Sequence, residues 1–172
     1  MTVKRWKLSV LTLPILGLSC IVACSKSTQT AGYVSQGTLT ATVGSANYAP
    51  PLTEAVYSSV YSTFAVFGLQ PGKDTTYLRI GLPLTGFTIG TPFSLVDSAR
   101  TTGLSWYDGQ RTYEYDAIFG QGASHALINI SSWDTVQLKI AGTFSGVLYN
   151  INNLSDSVVI TNGAFSTSYT KE

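Results

Sequence analysis

The residue types best suited to chemistry crowd into one stretch of this chain, SWYDGQRTYEY, from Ser105 to Tyr115. Trp106, Tyr107, Asp108, Gln110 and Arg111 form the candidate ligand-binding set. Asp108-Gly109 fits a two-residue type I′ turn. Such a turn pairs Tyr107 with Gln110, Trp106 with Arg111 and Ser105 with Thr112. Trp106 then faces Arg111 as a cation–π pair, worth about 0.5–1 kcal/mol at an exposed site. Two readings follow. In one, the hairpin packs its tyrosines inward and satisfies its own charges. In the other it is an aromatic platform, rimmed by Asp108, Gln110 and Arg111, that holds a sugar or a polypeptide.

Other constellations carry less. Glu114 and Asp116 share one strand face roughly 7 Å apart, near the spacing of inverting glycosidases. That chemistry needs one desolvated carboxyl, whereas neighbouring acids on a charged face are expected to be solvated. A calcium site from Asp108, Glu114 or Asp116 would lack the acidic, glycine-containing loop such sites use. His125, the single histidine, could serve a Ser-His-Asp triad, but it lies in an alternating run and no nucleophile elbow accompanies it. Trp133-Asp134 reads as a turn with an aromatic plug. No phosphate-cradling loop, dinucleotide fingerprint or zinc-protease motif occurs. We therefore expect no enzyme activity, no cofactor and no metal.

The N-terminus reads MTVKRWKLSVLTLPILGLSCIVACSK. Lys4, Arg5 and Lys7 precede an apolar stretch, Leu8 to Val22, that Pro14 and Gly17 interrupt. A bilayer span takes about 20 apolar residues, so the stretch reads as a secretory signal. It ends Ile21-Val22-Ala23-Cys24, which resembles a bacterial lipoprotein signal; that resemblance implies acylation of Cys24 and two-chain membrane anchoring. Residues 1–23 then form the signal peptide, 24–36 the acylated cysteine and a small, polar tether, and 37–172 the folded domain. The signal holds three of the ten Lys+Arg and none of the nine Asp+Glu, so the remainder has a formal charge of −2. That gives no basic face for nucleic acid. Cys24 is the only cysteine left, so no disulfide, thiol nucleophile or cysteine zinc site is available.

Beyond Gly37, strong helix formers are scarce and Thr, Val, Ile, Tyr and Phe abound, a β composition. Period-two alternation marks 38–43 (Leu39, Ala41, Val43), 60–67 (Val60, Ser62, Phe64, Val66), 76–82 (Leu78, Ile80, Leu82) and 111–119. It also marks 135–141 (Val136, Leu138, Ile140), 143–149, 157–161 and 164–169. Pro71-Gly72, Asp108-Gly109, Asn152-Asn153 and Asn162-Gly163 read as turns. Residues 50–59 could form a helical turn. The expected fold is all-β: a single antiparallel β-sandwich, or a barrel-like variant, of about 8–11 strands with little or no helix.

The C-terminal third holds Gly142-Thr143-Phe144 with Tyr149, then Ser157 to Gly163 with Phe165 and Tyr169. This pattern resembles a family of uncharacterised cell-envelope lipoprotein domains common in Bacteroidetes, and the opening GTLTATVGSANYAP resembles that family's first strand. Ser45 departs from the usual turn residue, and the middle of the chain fits loosely. The resemblance implies a lipid-anchored all-β domain and carries no assigned activity. Asn162-Gly163 between two runs is also a hairpin signal in its own right, with Phe144, Leu148, Val158, Ile160 and Phe165 as inward faces.

The expected role is a non-enzymatic binding or structural module, anchored in the outer membrane through its N-terminal lipid. The periplasmic face is favoured because SKSTQT, just after Cys24, holds no acid. The alternatives are a carbohydrate-binding accessory of a glycan-uptake system, a protein-docking subunit and, last, a hydrolase.

Overall fold

A computed structural model describes residues 35–60, 63–72, 75–95, 103–109, 114–117 and 125–172, with the backbone alone for Leu95 and Glu114. The signal peptide, Cys24, most of the tether, Gln110 and Arg111 lie outside the described residues.

The described chain is all β, as its composition dictates. Its strands are β1 (Gly37–Val43), β2 (Ala46–Tyr48), β3 (Leu52–Ser58), β4 (Thr63–Gln70), β5 (Thr76–Pro83), β6 (Phe93–Leu95), β7 (Gly103–Tyr107), β8 (Glu114–Asp116), β9 (His125–Asp134), β10 (Lys139–Asn150), β11 (Asn153–Ser168) and β12 (Thr170–Lys171). They form one sheet in the order β12-β3-β4-β5-β7-β8-β10-β11-β1-β2, with β9 beside β10 and β6 beside β9. β9 flanks β10 as far as Val147; β8 then takes over the same edge at Tyr149 and Asn150. All pairings are antiparallel except β12 with β3.

The sheet folds back on itself around one core. The Phe64 ring of β4 meets Trp133 of β9 edge-on at 5.2 Å, and Tyr169 at 5.0 Å. The ends of the sheet are tied as well. Gln36 N donates to Thr53 O at 2.7 Å, Thr53 N donates to Ser35 Oγ at 3.0 Å, and Glu172 N donates to Tyr57 O at 2.9 Å. Ser35 and Gln36, read above as the end of the tether, are thus bonded to β3.

Alternation places the core. Leu39, Ala41 and Val43 of β1, Phe64 and Val66 of β4, and Leu78, Ile80 and Leu82 of β5 are buried, as their spacing predicts. Phe144, Leu148, Ile160 and Phe165 are buried too, and Val158 packs against them. Each fully buried Leu, Ile or Phe contributes about 1.5–3 kcal/mol of transfer free energy.

Four local expectations change. Residues 52–58 form a strand rather than a helical turn, because β4 supplies a full antiparallel partner from Leu52↔Leu69 to Ser58↔Thr63. Val60 is 79% exposed, in a turn outside β4. Residues 135–138 are a turn rather than the start of a strand. The Asp134 carboxylate accepts from Val136 N and Gln137 N at 2.8 Å each, and Leu138 takes φ +55° to enter β10. Those two amides, Gln137 first, hold the Asp134 carboxyl below the usual carboxylate range.

Asn162-Gly163 is no hairpin turn but lies inside β11. A type I′ turn needs φ > 0 at both residues, and of these two only Asn162 has it, at +52°. Asn162 is a bulge: Gly163 pairs with Phe144 and Ile160 with Gly146, so the register slips between them. Gly163 is needed for close approach, since a Cβ there would fall 2.5 Å from the Phe144 ring. The true β10–β11 turn is at Ile151-Asn152, where Asn152 N donates to Asn150 Oδ1 at 2.9 Å.

Candidate functional site

The connection from β7 to β8 decides what the aromatic stretch can do. Gly109 has φ +84° but Asp108 does not have positive φ, so the two-residue type I′ turn does not form. The strands pair Tyr107 with Glu114, Trp106 with Tyr115 and Ser105 with Asp116. The expected pairing of Trp106 with Arg111 is therefore replaced, and the connection is longer by four residues.

Alternation along β7 sends Trp106 and Tyr107 to opposite faces. Trp106 points inward. It is 9% exposed and lies edge-on to Tyr48, 4.9 Å between centroids. Tyr48 is anchored in turn by its hydroxyl, which donates to Gly68 O at 2.8 Å. Its burial pushes its pKa up to about 12. Of the two candidate rings, Trp106 is a core residue.

Tyr107 is half-buried and outward, stacked on Tyr77 of β5 at 5.2 Å and 14°. Directly paired residues share a sheet face, so pairing defines two outward rows. One runs Leu69, Tyr77, Tyr107; the next runs Glu54, Phe67, Arg79, Ser105, Asp116, Tyr149. Glu54, Phe67, Leu69 and Tyr77 line a shallow cavity of about 200 Å³. This face is aromatic and aliphatic, with Glu54 and Arg79 set among the rings. It can stack planar or ring-shaped groups and hold hydrogen-bonding ones.

Asp116 departs from expectation. It is 6% exposed rather than solvated, and its Oδ1 has no hydrogen-bond partner among the described atoms. Tyr115, on the opposite face, donates its hydroxyl to Asp156 Oδ2 at 2.7 Å, and Asn150 Nδ2 donates to the same oxygen at 3.1 Å. Burial first, and then the hydrogen bond to Asp156 and the Asp156 charge, raise the Tyr115 pKa to about 12. The Tyr115 hydroxyl, then the Asn150 amide, hold the Asp156 carboxyl below its ordinary range. This network fastens the β10–β11 turn to β8. Among the described residues, no three His, Cys, Asp or Glu side chains come close enough to hold a metal ion. His125 is exposed at the start of β9.

Sequence reasoning missed a second aromatic group. Trp133, read as a plug in a turn, ends β9 and stacks on Phe87 at 5.4 Å and 3°, and Phe87 stacks on Phe93 at 5.4 Å. The Trp133 indole N–H donates to Tyr169 Oη at 3.1 Å. With Tyr57, Leu84, Ile89 and Thr135, the Phe87 and Trp133 rings line an apolar groove of about 410 Å³. Phe87 lies in a stretch without alternation, so no periodic signal marked it.

A family model described as a domain of unknown function (DUF5025) matches residues 128–168. These residues span β9 from Ile128 through β11, the segment that carries the C-terminal sequence pattern. The match supports an uncharacterised domain family. No curated protein and no solved structure matches the chain.

Proposed function

We propose that this protein is a non-enzymatic binding module of the bacterial cell envelope, lipid-anchored at Cys24 and facing the periplasm from the outer membrane. The single observation that carries the binding role is the stacked Tyr77–Tyr107 pair on an outward sheet face. Outward aromatic rings supply contact area at low entropic cost and dominate binding energetics where they occur. Docking through a free strand edge has less support, since the sheet path ends in strands of two and three residues, β12 and β2. The anchor rests on the sequence LSCIVAC and on the C-terminal pattern that resembles envelope lipoproteins.

Two experiments test the proposal. Cys24→Ala should shift the protein from the membrane fraction to an unprocessed or soluble form; normal processing and membrane fractionation of the variant would remove the anchor. Wild type, Tyr77→Ala and Tyr107→Ala should be screened against envelope extract and a glycan array. The binding role predicts a wild-type ligand that both variants lose while remaining folded. A wild-type ligand that both folded variants retain would remove the aromatic face from that role.

A further inference from the structure

A third surface lies elsewhere, on the outward side of β9, β10 and β11. Asn129, Thr143, Ser145, Asn162 and Ala164, with Leu127 and Pro92 at one wall, line a groove of about 410 Å³. Its shape follows from the pairing. Asn129, Thr143 and Ala164 form one outward row, and Leu127 pairs with Ser145 in the next. The short side chains of Thr143, Ser145 and Ala164 make a low floor, and Leu127, 43% exposed, stands above it. The bulge slips the β10–β11 register at Ser145 and Asn162, which takes backbone N–H and C=O groups out of the regular ladder.

The chemistry of the lining is selective. Among the described residues, no Asp, Glu, Lys or Arg contributes to it. The polar groups are hydroxyls and amides, which donate and accept alike, set between aliphatic carbons. Asn129 Oδ1 is buried and has no hydrogen-bond partner among the described atoms. A buried polar atom left unsatisfied calls for a partner. We propose that this groove is a second binding site, separate from the Tyr77–Tyr107 face, and that it takes an uncharged oligosaccharide. Neutral hydroxyls match neutral hydroxyls and amides, the C–H face of a sugar ring matches Leu127 and Pro92, and a charged ligand would find no counter-charge. An extended peptide fits less well, because the backbone groups of β10 away from the bulge are already used by β9 and β11.

The test is calorimetric titration of the full-length protein with hexasaccharides of glucose, mannose and N-acetylglucosamine, and with a hexagalacturonate as the charged control. At least one neutral hexamer should bind and the galacturonate should not. Ala164→Tyr, which fills the groove, should abolish binding. Thr143→Val, which keeps shape and removes one hydroxyl, should weaken it about threefold to tenfold, the effect of one neutral hydrogen bond. Should Ala164→Tyr fail to fold, Thr143→Val carries the test. Val136→Ala, at an exposed position in the β9–β10 turn, should bind as wild type. Absence of binding to every neutral hexamer would overturn the proposal, as would unchanged binding by folded Ala164→Tyr and Thr143→Val. Binding lost in Tyr107→Ala and kept in Ala164→Tyr would overturn it too, while leaving the aromatic-face reading intact.

Discussion

Trp106 and Tyr107 are chain neighbours of similar size, and the structure assigns them opposite energetic roles. Trp106→Ala removes a buried indole and the edge-on contact with Tyr48. Large-to-small changes of buried aromatics cost about 3–5 kcal/mol, more where the cavity cannot collapse. Tyr48 cannot follow the missing ring without breaking its hydrogen bond to Gly68 O, so the upper half of that range applies, about 4–5 kcal/mol. A domain of this size loses about 3–5 °C in Tm per kcal/mol, which predicts a fall of about 12–25 °C. Tyr107→Ala removes a half-buried ring whose main described contact is the stack on Tyr77. Such a pair is worth about 0.5–1.5 kcal/mol, giving a fall of about 2–7 °C. Urea titrations followed by far-ultraviolet circular dichroism, with thermal melts alongside, measure both. The m-value should stay constant if only stability changes. A Trp106→Ala loss within 1 kcal/mol of wild type, or smaller than that of Tyr107→Ala, refutes the inward placement of Trp106 and with it the β7–β8 register.

Two further outcomes are expected. Asn162→Gly should leave stability within about 0.5 kcal/mol, whereas Asn162→Val should cost about 1–2 kcal/mol, because a β-branched residue resists φ > 0; equal denaturation midpoints for the two would argue against the bulge. Tyr115 holds its proton more tightly folded than unfolded, so the stability it shares with Asp156 is complete below pH 10 and is lost as pH rises toward about 12. The Asp156 side of the same bond acts at the other extreme: its lowered pKa keeps stability above the ordinary carboxylate range and loses it as pH falls through the folded value. Tyr115→Phe should flatten the alkaline loss, leaving the part due to Tyr48, and should move the Asp156 titration, read by NMR, upward toward its ordinary value.

Sequence alternation located β1, β5 and the inward faces of β10 and β11, because burial on one face imposes period two. It failed where backbone conformation was set from a distance. Asn162-Gly163 has the composition of a tight turn, yet Gly163 runs against Phe144 and the strand continues. Asp108-Gly109 has the same composition, and pairing of Trp106 with Tyr115 overrides it. Residues 52–58 carry a weak pattern and become a strand because β4 pairs with them along their whole length. The candidate site was half legible. Tyr107 was identified, but its partner Tyr77 lies thirty positions earlier and only the β5–β7 register joins them. Nothing in an aromatic dipeptide says which ring faces in; that depends on the neighbouring strands. The Asn129–Ala164 groove was not legible, since hydroxyl and amide side chains acquire meaning only once three strands set them side by side.

The pairing of β1 with β11 has a consequence for how the chain is made. Gly37 lies opposite Thr167, and β12 reaches back to β3 with the last residues of the chain. Synthesis proceeds from the N-terminus at about 5–20 residues per second, so β1 waits for nearly the whole chain before its main partner exists. Contacts this distant in sequence also make β proteins fold slowly, on the scale of milliseconds to seconds. β1 therefore stays without its main partner until β11 has been made. The same pairing means that losing a few C-terminal residues would strip both the β12 clasp and the end of β11, producing a chain with an unpaired first strand exposed to proteases and to other copies of itself.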